Sequence, residues 1–182
     1  AEAIGGLLYF KDTPFISSEK IKGYFATKFN NSSYLSSNQF GLKWGQQNLF
    51  FNLHGQYTMS TDYRLPDGTY LFNSRFNQRA IKFSIAHRFK KFQNIFRYQY
   101  HFENPGIPGH AHVINPAEIN ILDITSSSVD LTDDYKSSVP YQLVNNNLFT
   151  FQSNYLTNDL KLSFHVGYFI NNLKEHEKWT RP

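Results

Sequence analysis

Apolar residues recur at every second position through most of this chain. From Ala80 to Phe102, Ile81, Phe83, Ile85 and Phe89 alternate with Lys82, Ser84, Ala86, Arg88 and Lys90. After a turn near Lys91 to Gln93 the series resumes, with Phe96, Tyr98, Tyr100 and Phe102 set against Arg97, Gln99 and His101. A period of two marks strands with unlike faces, so the stretch predicts a hairpin of two strands of about ten residues each. The same pattern predicts strands over Lys20 to Asn30, Gln39 to Gly45, Leu49 to Ser60, Leu143 to Tyr155 and Leu160 to Ile170. Tight turns are expected at Gln46-Gln47-Asn48 and Thr157-Asn158-Asp159. Ala1 to Pro14 reads as a short apolar strand opened by Gly5-Gly6 and stopped by Pro14.

Soluble strands cluster near five or six residues, whereas a tilted strand crossing a bilayer needs roughly nine to eleven. Alternation alone fits two architectures: a soluble sandwich with its apolar face on a shared core, or a barrel with its apolar face on lipid and its polar face on a lumen. Connection lengths separate them. They alternate between short, near residues 47, 91 and 158, and long, near 33, 70 and 120, with an open end after 172. Thr61 to Arg79 reads as a long polar connection with a Pro66-Asp67-Gly68 turn, and Asn104 to Pro140 as a longer one rich in Pro and Gly. Short turns at one end and long loops at the other are the habit of an outer-membrane barrel. About seven strands, an odd number, imply one piece of a larger barrel. The predicted fold is therefore all-β, an antiparallel meander forming part of a transmembrane β-barrel over 15–182, with the last strand of a preceding domain in 1–14.

Composition excludes other classes. The 182 residues include 18 Phe and 12 Tyr, yet no apolar run is long enough for a membrane helix. Cys is absent, which removes disulfides and thiolate metal sites. A net charge of +4 without a basic run gives no argument for nucleic acid, and the aromatics lie on the opposite strand face from the cations, so they cannot stack bases whose phosphates those cations would hold. No leader-like segment opens the chain, as in a mature, truncated or cytosolic product. No phosphate loop, nucleophile elbow or His-Glu-x-x-His occurs, so no catalytic residue is assigned; Ser163 and His165, which share a strand face, are the nearest approach to a dispersed hydrolytic set.

Ile4-Gly5-Gly6-Leu7-Leu8-Tyr9-Phe10 resembles the end of the plug domain in TonB-dependent outer-membrane receptors, where Gly-Gly and a short apolar strand lead into the barrel. Phe29-Asn30-Asn31-Ser32, the Asp62-Tyr63-Arg64 to Asp67-Gly68 loop with Asn73-Ser74-Arg75-Phe76-Asn77, Arg97-Tyr98-Gln99-Tyr100, Gly106-Ile107-Pro108 and Pro140-Tyr141-Gln142 are similar to strands and loops of that class. The resemblance implies a location in the outer membrane of a Gram-negative bacterium. It implies import of a scarce ligand such as an iron–siderophore chelate, without a cofactor. The implied partners are outer-membrane lipid, the rest of the barrel and plug, a small-molecule ligand, and TonB with ExbB and ExbD, engaged through a TonB box outside this sequence. The alternatives are a passive outer-membrane barrel or assembly scaffold, and a soluble β-sandwich binding module.

On this reading Tyr63, Arg64, Tyr70, Phe72, His110, His112 and Tyr135 of the long loops are candidates for ligand contact. Lys43, Lys82, Arg88, Arg97 and Lys161 are expected on the lumenal face, where they either draw an anionic ligand by focusing positive potential or pair with acidic plug residues. His110 and His112 share a face of an extended segment, with His101 and Glu103 nearby in sequence, but a metal site needs three or four convergent ligands, so none is assigned. His54 and His87 are expected on opposite strand faces, and Lys174 to Lys178 as a solvated loop of mixed charge.

Overall fold

A computed structural model describes residues 15, 18–108, 125–126, 137 and 139–177. The proposed plug strand over 1–14, together with His110, His112 and Tyr135, lies outside the described residues. Seven long strands form one antiparallel sheet: β1 (Ser18–Asn30), β2 (Leu35–Gln46), β3 (Leu49–Ser60), β6 (Phe76–Phe89), β7 (Phe92–Pro105), β9 (Tyr141–Leu156) and β10 (Lys161–His176). Each pairs with the next in chain order, and β1 and β10 are the edges, so the sheet is not closed. Three two-residue strands, β4 (Tyr63–Arg64), β5 (Tyr70–Leu71) and β8 (Thr125–Ser126), make a second small sheet within the long connections.

Strand existence follows the alternation closely; strand length exceeds it. β2 begins at Leu35 and β6 at Phe76, because backbone pairing continues where the apolar period fades: Asn77 still pairs with Met59 and with Asn104. Two expectations need correction. Lys174 to His176 are strand rather than loop, since Lys174, Glu175 and His176 of β10 pair with Leu143, Gln142 and Tyr141 of β9. The Thr61 to Arg79 connection is not irregular throughout, since it holds β4, β5 and the start of β6. In both, ladder hydrogen bonds to a neighbouring strand outweigh side-chain polarity.

Short connections share one end of the sheet. Gln47 and Lys90 adopt positive φ (49° and 52°) to turn two tight hairpins, and Thr157 closes the third, its N–H donating to the Leu160 carbonyl at 2.8 Å. The longer connections, β1 to β2, β3 to β6 and β7 to β9, all leave from the other end.

Register sorts the faces across the whole sheet. One row runs Gly23, Leu42, Leu53, Phe83, Tyr98, Phe149, Tyr168, and its neighbour runs Trp44, Phe51, Ile85, Phe96, Phe151, Val166. Aromatic rings meet across strands on this face, Phe51 with Phe83 at 5.2 Å and Tyr98 with Phe149 at 4.8 Å. On the opposite face a matching row reads Lys43, Asn52, Ser84, Arg97, Thr150. Accessibility inverts the ordinary rule: Asn52, Thr58, Ser84 and Asn154 are buried, whereas Phe25, Phe96, Phe164 and Tyr168 are exposed. Among the described residues nothing is stacked on the apolar face to cover it, and the polar face is the more sheltered of the two. Among the described residues the buried apolar ones are Phe50, Ala86 and Ile95, which share a row of the polar face near the turn end, with the Phe15 ring 6.2 Å from that of Phe50.

Close strand approach on β2 and β3 uses glycine. A Cβ at Gly41 would collide with the Tyr24 ring on the polar face, and one at Gly55 with the Phe40 ring on the apolar face. At Gly167 a Cβ would make only ordinary van der Waals contact, its nearest neighbours 3.7 Å away. Gly41→Val is expected to displace Tyr24 and lower stability by about 1–3 kcal/mol, read as a fall in the thermal or urea midpoint, while Gly167→Ala leaves the midpoint within error of the parent.

Candidate functional site

Two polar assemblies stand out, one at the loop end and one on the polar face. At the loop end the sequence supplies Ser, Thr, Asn and Asp, whose side chains satisfy backbone groups that no ladder reaches. The Ser33 carbonyl accepts from the Thr61 N–H and the Thr61 hydroxyl, both at 2.9 Å, and the Ser32 carbonyl accepts from the Arg64 N–H at 2.8 Å. Asp62 is buried and forms a bidentate pair with Arg75, which also donates its backbone N–H to Asp62 Oδ1 at 3.1 Å. Asn73, fully buried with φ of 60°, donates through Nδ2 to the carbonyls of Ile107 at 3.2 Å and Pro140 at 2.6 Å. Gly106 lies so close to Asn73 that a side chain there would strike it. One knot thus ties three connections together, through Ser33, Asp62 to Arg75, and both ends of the β7 to β9 connection at Gly106 to Ile107 and Pro140.

That knot carries the loop candidates. Arg64 pairs with Tyr70 and Tyr63 with Leu71 in the small sheet, and Tyr63, Arg64 and Phe72 are exposed. The structure therefore brings Tyr63, Arg64 and Tyr70 together, with Phe72 directly following β5. At the apex, Asp67 Oδ1 accepts from the Thr69 hydroxyl at 2.7 Å and the Thr69 N–H at 2.9 Å. These two bonds, the hydroxyl's first, hold the Asp67 carboxyl below the usual carboxylate range.

On the polar face a groove of about 410 Å³ is lined by Tyr24, Gln39, His54, Gln56, Lys82 and His101, among others. Tyr24 Oη lies 3.3 Å from His54 Nδ1, and His54 Nε2 is buried without a hydrogen-bond partner among the described residues. His101 Nε2 lies 3.5 Å from Glu103 Oε2 on the same strand. All five expected basic residues fall on this face by register. They are not one cluster: Lys43 and Arg97 share a row, Lys82 stands in the next, and Arg88 and Lys161 lie at the turn end. Arg97 donates to Gln152 Oε1 at 3.3 Å, and Arg88 stacks 5.8 Å over the Phe50 ring, so each has a neighbour within this sheet. His87 is on the apolar face and His54 on the polar one. Ser163 donates to Asn154 Oδ1 at 2.9 Å rather than to His165. Among the described residues no group of three metal-ligating side chains converges.

The Asp62–Arg75 pair, Asn73 and the Tyr24–His54 contact were not singled out from sequence. Their partners lie 13, 34 and 67, and 30 residues away, and the one usable signal was strand parity, which places Tyr24, His54, Lys82 and His101 on a common face. No protein-family profile matches the chain, and neither a curated protein nor a solved structure matches it.

Asp62→Asn removes the charge that balances the buried Arg75 guanidinium, and is expected to cost about 3–5 kcal/mol; a large drop in unfolding midpoint with new protease cleavage between 61 and 75 is the expected reading. For Asp67 the depressed folded value means that the turn's contribution is present above the ordinary carboxylate value of about 3.9 and is lost as pH falls through the lower folded one. Thr69→Val should raise the Asp67 carboxyl midpoint toward the ordinary value, followed by its carbon-13 chemical shift.

Proposed function

We propose that this chain is a membrane-spanning part of an outer-membrane β-barrel receptor, its apolar face on lipid and its polar face lining a lumen. One observation carries the reading. From Lys22 onward, Lys22, Lys28, Lys43, Lys82, Arg88, Arg97, Glu103, Lys161 and Glu175 all stand on the polar face of the long strands, while the apolar face holds Arg79 and Lys174, both toward the loop end. A charge facing hydrocarbon at the bilayer midplane costs about 2–4 kcal/mol, whereas a water-facing strand surface bears no such constraint. The apolar band has the right height. From Arg79 to Phe89, at about 3.4 Å per residue and a tilt near 40°, it spans about 26 Å along the membrane normal. Aromatic rings border it at both ends, Tyr57 and Phe102 beside Arg79, and Phe92 with Tyr155, 5.0 Å apart, at the turn end.

The loop end faces outward in this reading, and the small sheet displaying Tyr63, Arg64 and Tyr70 is the surface that meets the ligand. The polar groove with Tyr24, His54, Lys82 and His101 lies on the ligand's path through the lumen. Lys43, Lys82 and Arg97 give that wall a positive potential suited to an anionic cargo such as a siderophore chelate. Energised uptake through TonB follows from the family resemblance of the sequence.

Two measurements test the membrane reading and one the transport reading. With Trp179→Phe, Trp44 on the apolar face is the remaining indole; vesicles of phosphatidylcholine brominated in the acyl chains should quench most of its fluorescence. A monomeric, water-soluble chain with unquenched Trp44 would refute the assignment. Phe83→Arg should impair vesicle insertion by about 2–4 kcal/mol, while Gln99→Arg, on the polar face, inserts as the parent does. Uptake that survives collapse of the proton-motive force would replace active import by passive diffusion.

A further inference from the structure

The apex of the β3 to β6 connection places side by side two groups able to react with each other. Of the 10 Gly in the chain, Gly68 alone follows an Asp or Asn. With no side chain beside it, the Gly68 nitrogen is open to attack on the neighbouring carboxyl carbon. In that step a bond forms between the Gly68 nitrogen and Asp67 Cγ, and the bond from Cγ to the hydroxyl of the protonated carboxyl breaks. The amide proton leaves with the hydroxyl as one water, and a five-membered succinimide remains. Water then reopens the ring. Addition at Cγ restores Asp67, whereas addition at the main-chain carbonyl carbon routes the chain through the Asp67 β-carbon and leaves the α-carboxylate as a side group. One water is lost and one gained, so the product is an isomer, isoaspartate, and no oxidant or reductant is needed.

Hydrogen bonds restrain both reactants. The Gly68 N–H donates to the Leu65 carbonyl at 3.0 Å, closing the Leu65-Pro66-Asp67-Gly68 turn and occupying the proton that attack must release. Asp67 Oδ1 accepts from the Thr69 hydroxyl at 2.7 Å and the Thr69 N–H at 2.9 Å. These bonds favour the ionised carboxylate, which offers no hydroxyl to leave. The Leu65 N–H donates to the Thr69 carbonyl at 2.7 Å, so the chain is tied on both sides of the reactive bond. Crowding gives little protection. Asp67 is exposed, and a Cβ built at Gly68, where φ is 90°, has Arg64 Nη2 as its nearest neighbour among the described residues, at 3.7 Å. We propose that Asp67–Gly68 is a modification site, a main-chain isomerisation to isoaspartate that the Thr69 hydroxyl holds in check while the chain is folded. The inference is independent of the membrane reading. Its consequence falls on the small sheet, because the Arg64 and Tyr70 pair brackets this turn and isomerisation adds one methylene to the main chain between them.

The test follows isoaspartate in the purified, folded full chain during warm incubation at mildly acidic pH. Trypsin releases the peptide from Leu65 to Arg75, and fragmentation by electron transfer distinguishes the isomers at equal mass. Thr69→Val should accumulate isoaspartate about tenfold faster than the parent, the scale of one hydrogen bond to a charged group. Thr69→Ser, which keeps the hydroxyl, should match the parent. Asp67→Glu, for which the ring would have six members, should form no isomer at this position. In urea the parent should react as fast as Thr69→Val, since the restraint belongs to the folded turn. Equal rates for folded parent and folded Thr69→Val would overturn the proposal. So would a Thr69→Ser rate as high as that of Thr69→Val, or a parent that isomerises no more slowly folded than in urea.

Discussion

The fold depends on an unbroken register of backbone hydrogen bonds through one layer of strands. Because successive side chains point to opposite sides, a slip of one residue at any pairing would carry a strand's whole apolar set to the wrong face. Among the described residues no second layer packs on the long sheet to enforce that register. It is held instead by the turns, by cross-strand ring pairs such as Tyr98 with Phe149, and by the glycine seats under Tyr24 and Phe40. The usual driving force of folding, burial of apolar surface against itself, is slight among the described residues, where Phe50, Ala86 and Ile95 make up the buried apolar set. In the membrane reading proposed above, hydrocarbon takes that role.

The loop end shows the complementary problem. Connections leaving a sheet expose backbone groups that need partners. Here a sheltered carboxylate–guanidinium pair and a buried amide supply them, so the base of the loops is tied down while Pro66 and Asp67, at the apex of the β3 to β6 connection, are exposed. A surface built to select a ligand benefits from that arrangement, since contact groups on a fixed base lose less freedom on binding.

Strand identity and facing were legible in the sequence because both follow from local periodicity. The alternation around Phe83 and Phe96 placed those rings, and with them the opposite Lys82 and Arg97, before any coordinates. Strand ends were not legible. At Leu35, Phe76 and His176 pairing persists through polar residues, and only the neighbouring strand determines where it stops. The loop knot was equally hidden: Asp62, Asn73 and Arg75 look like ordinary turn residues, and their burial arises from partners such as Pro140 far along the chain. Long-range contacts between unlike segments leave no periodic trace.

The two edge strands have a directional consequence. β1 ends, and β10 ends, at the loop end, so both edges of the seven-stranded sheet point the same way. Bringing those edges together would make a parallel seam, and so would setting a second copy beside the first in the same membrane orientation. A ring closed by antiparallel contacts alone therefore takes an odd number of additional strands, and the first of them beside β10 must descend from the loop end to the turn end.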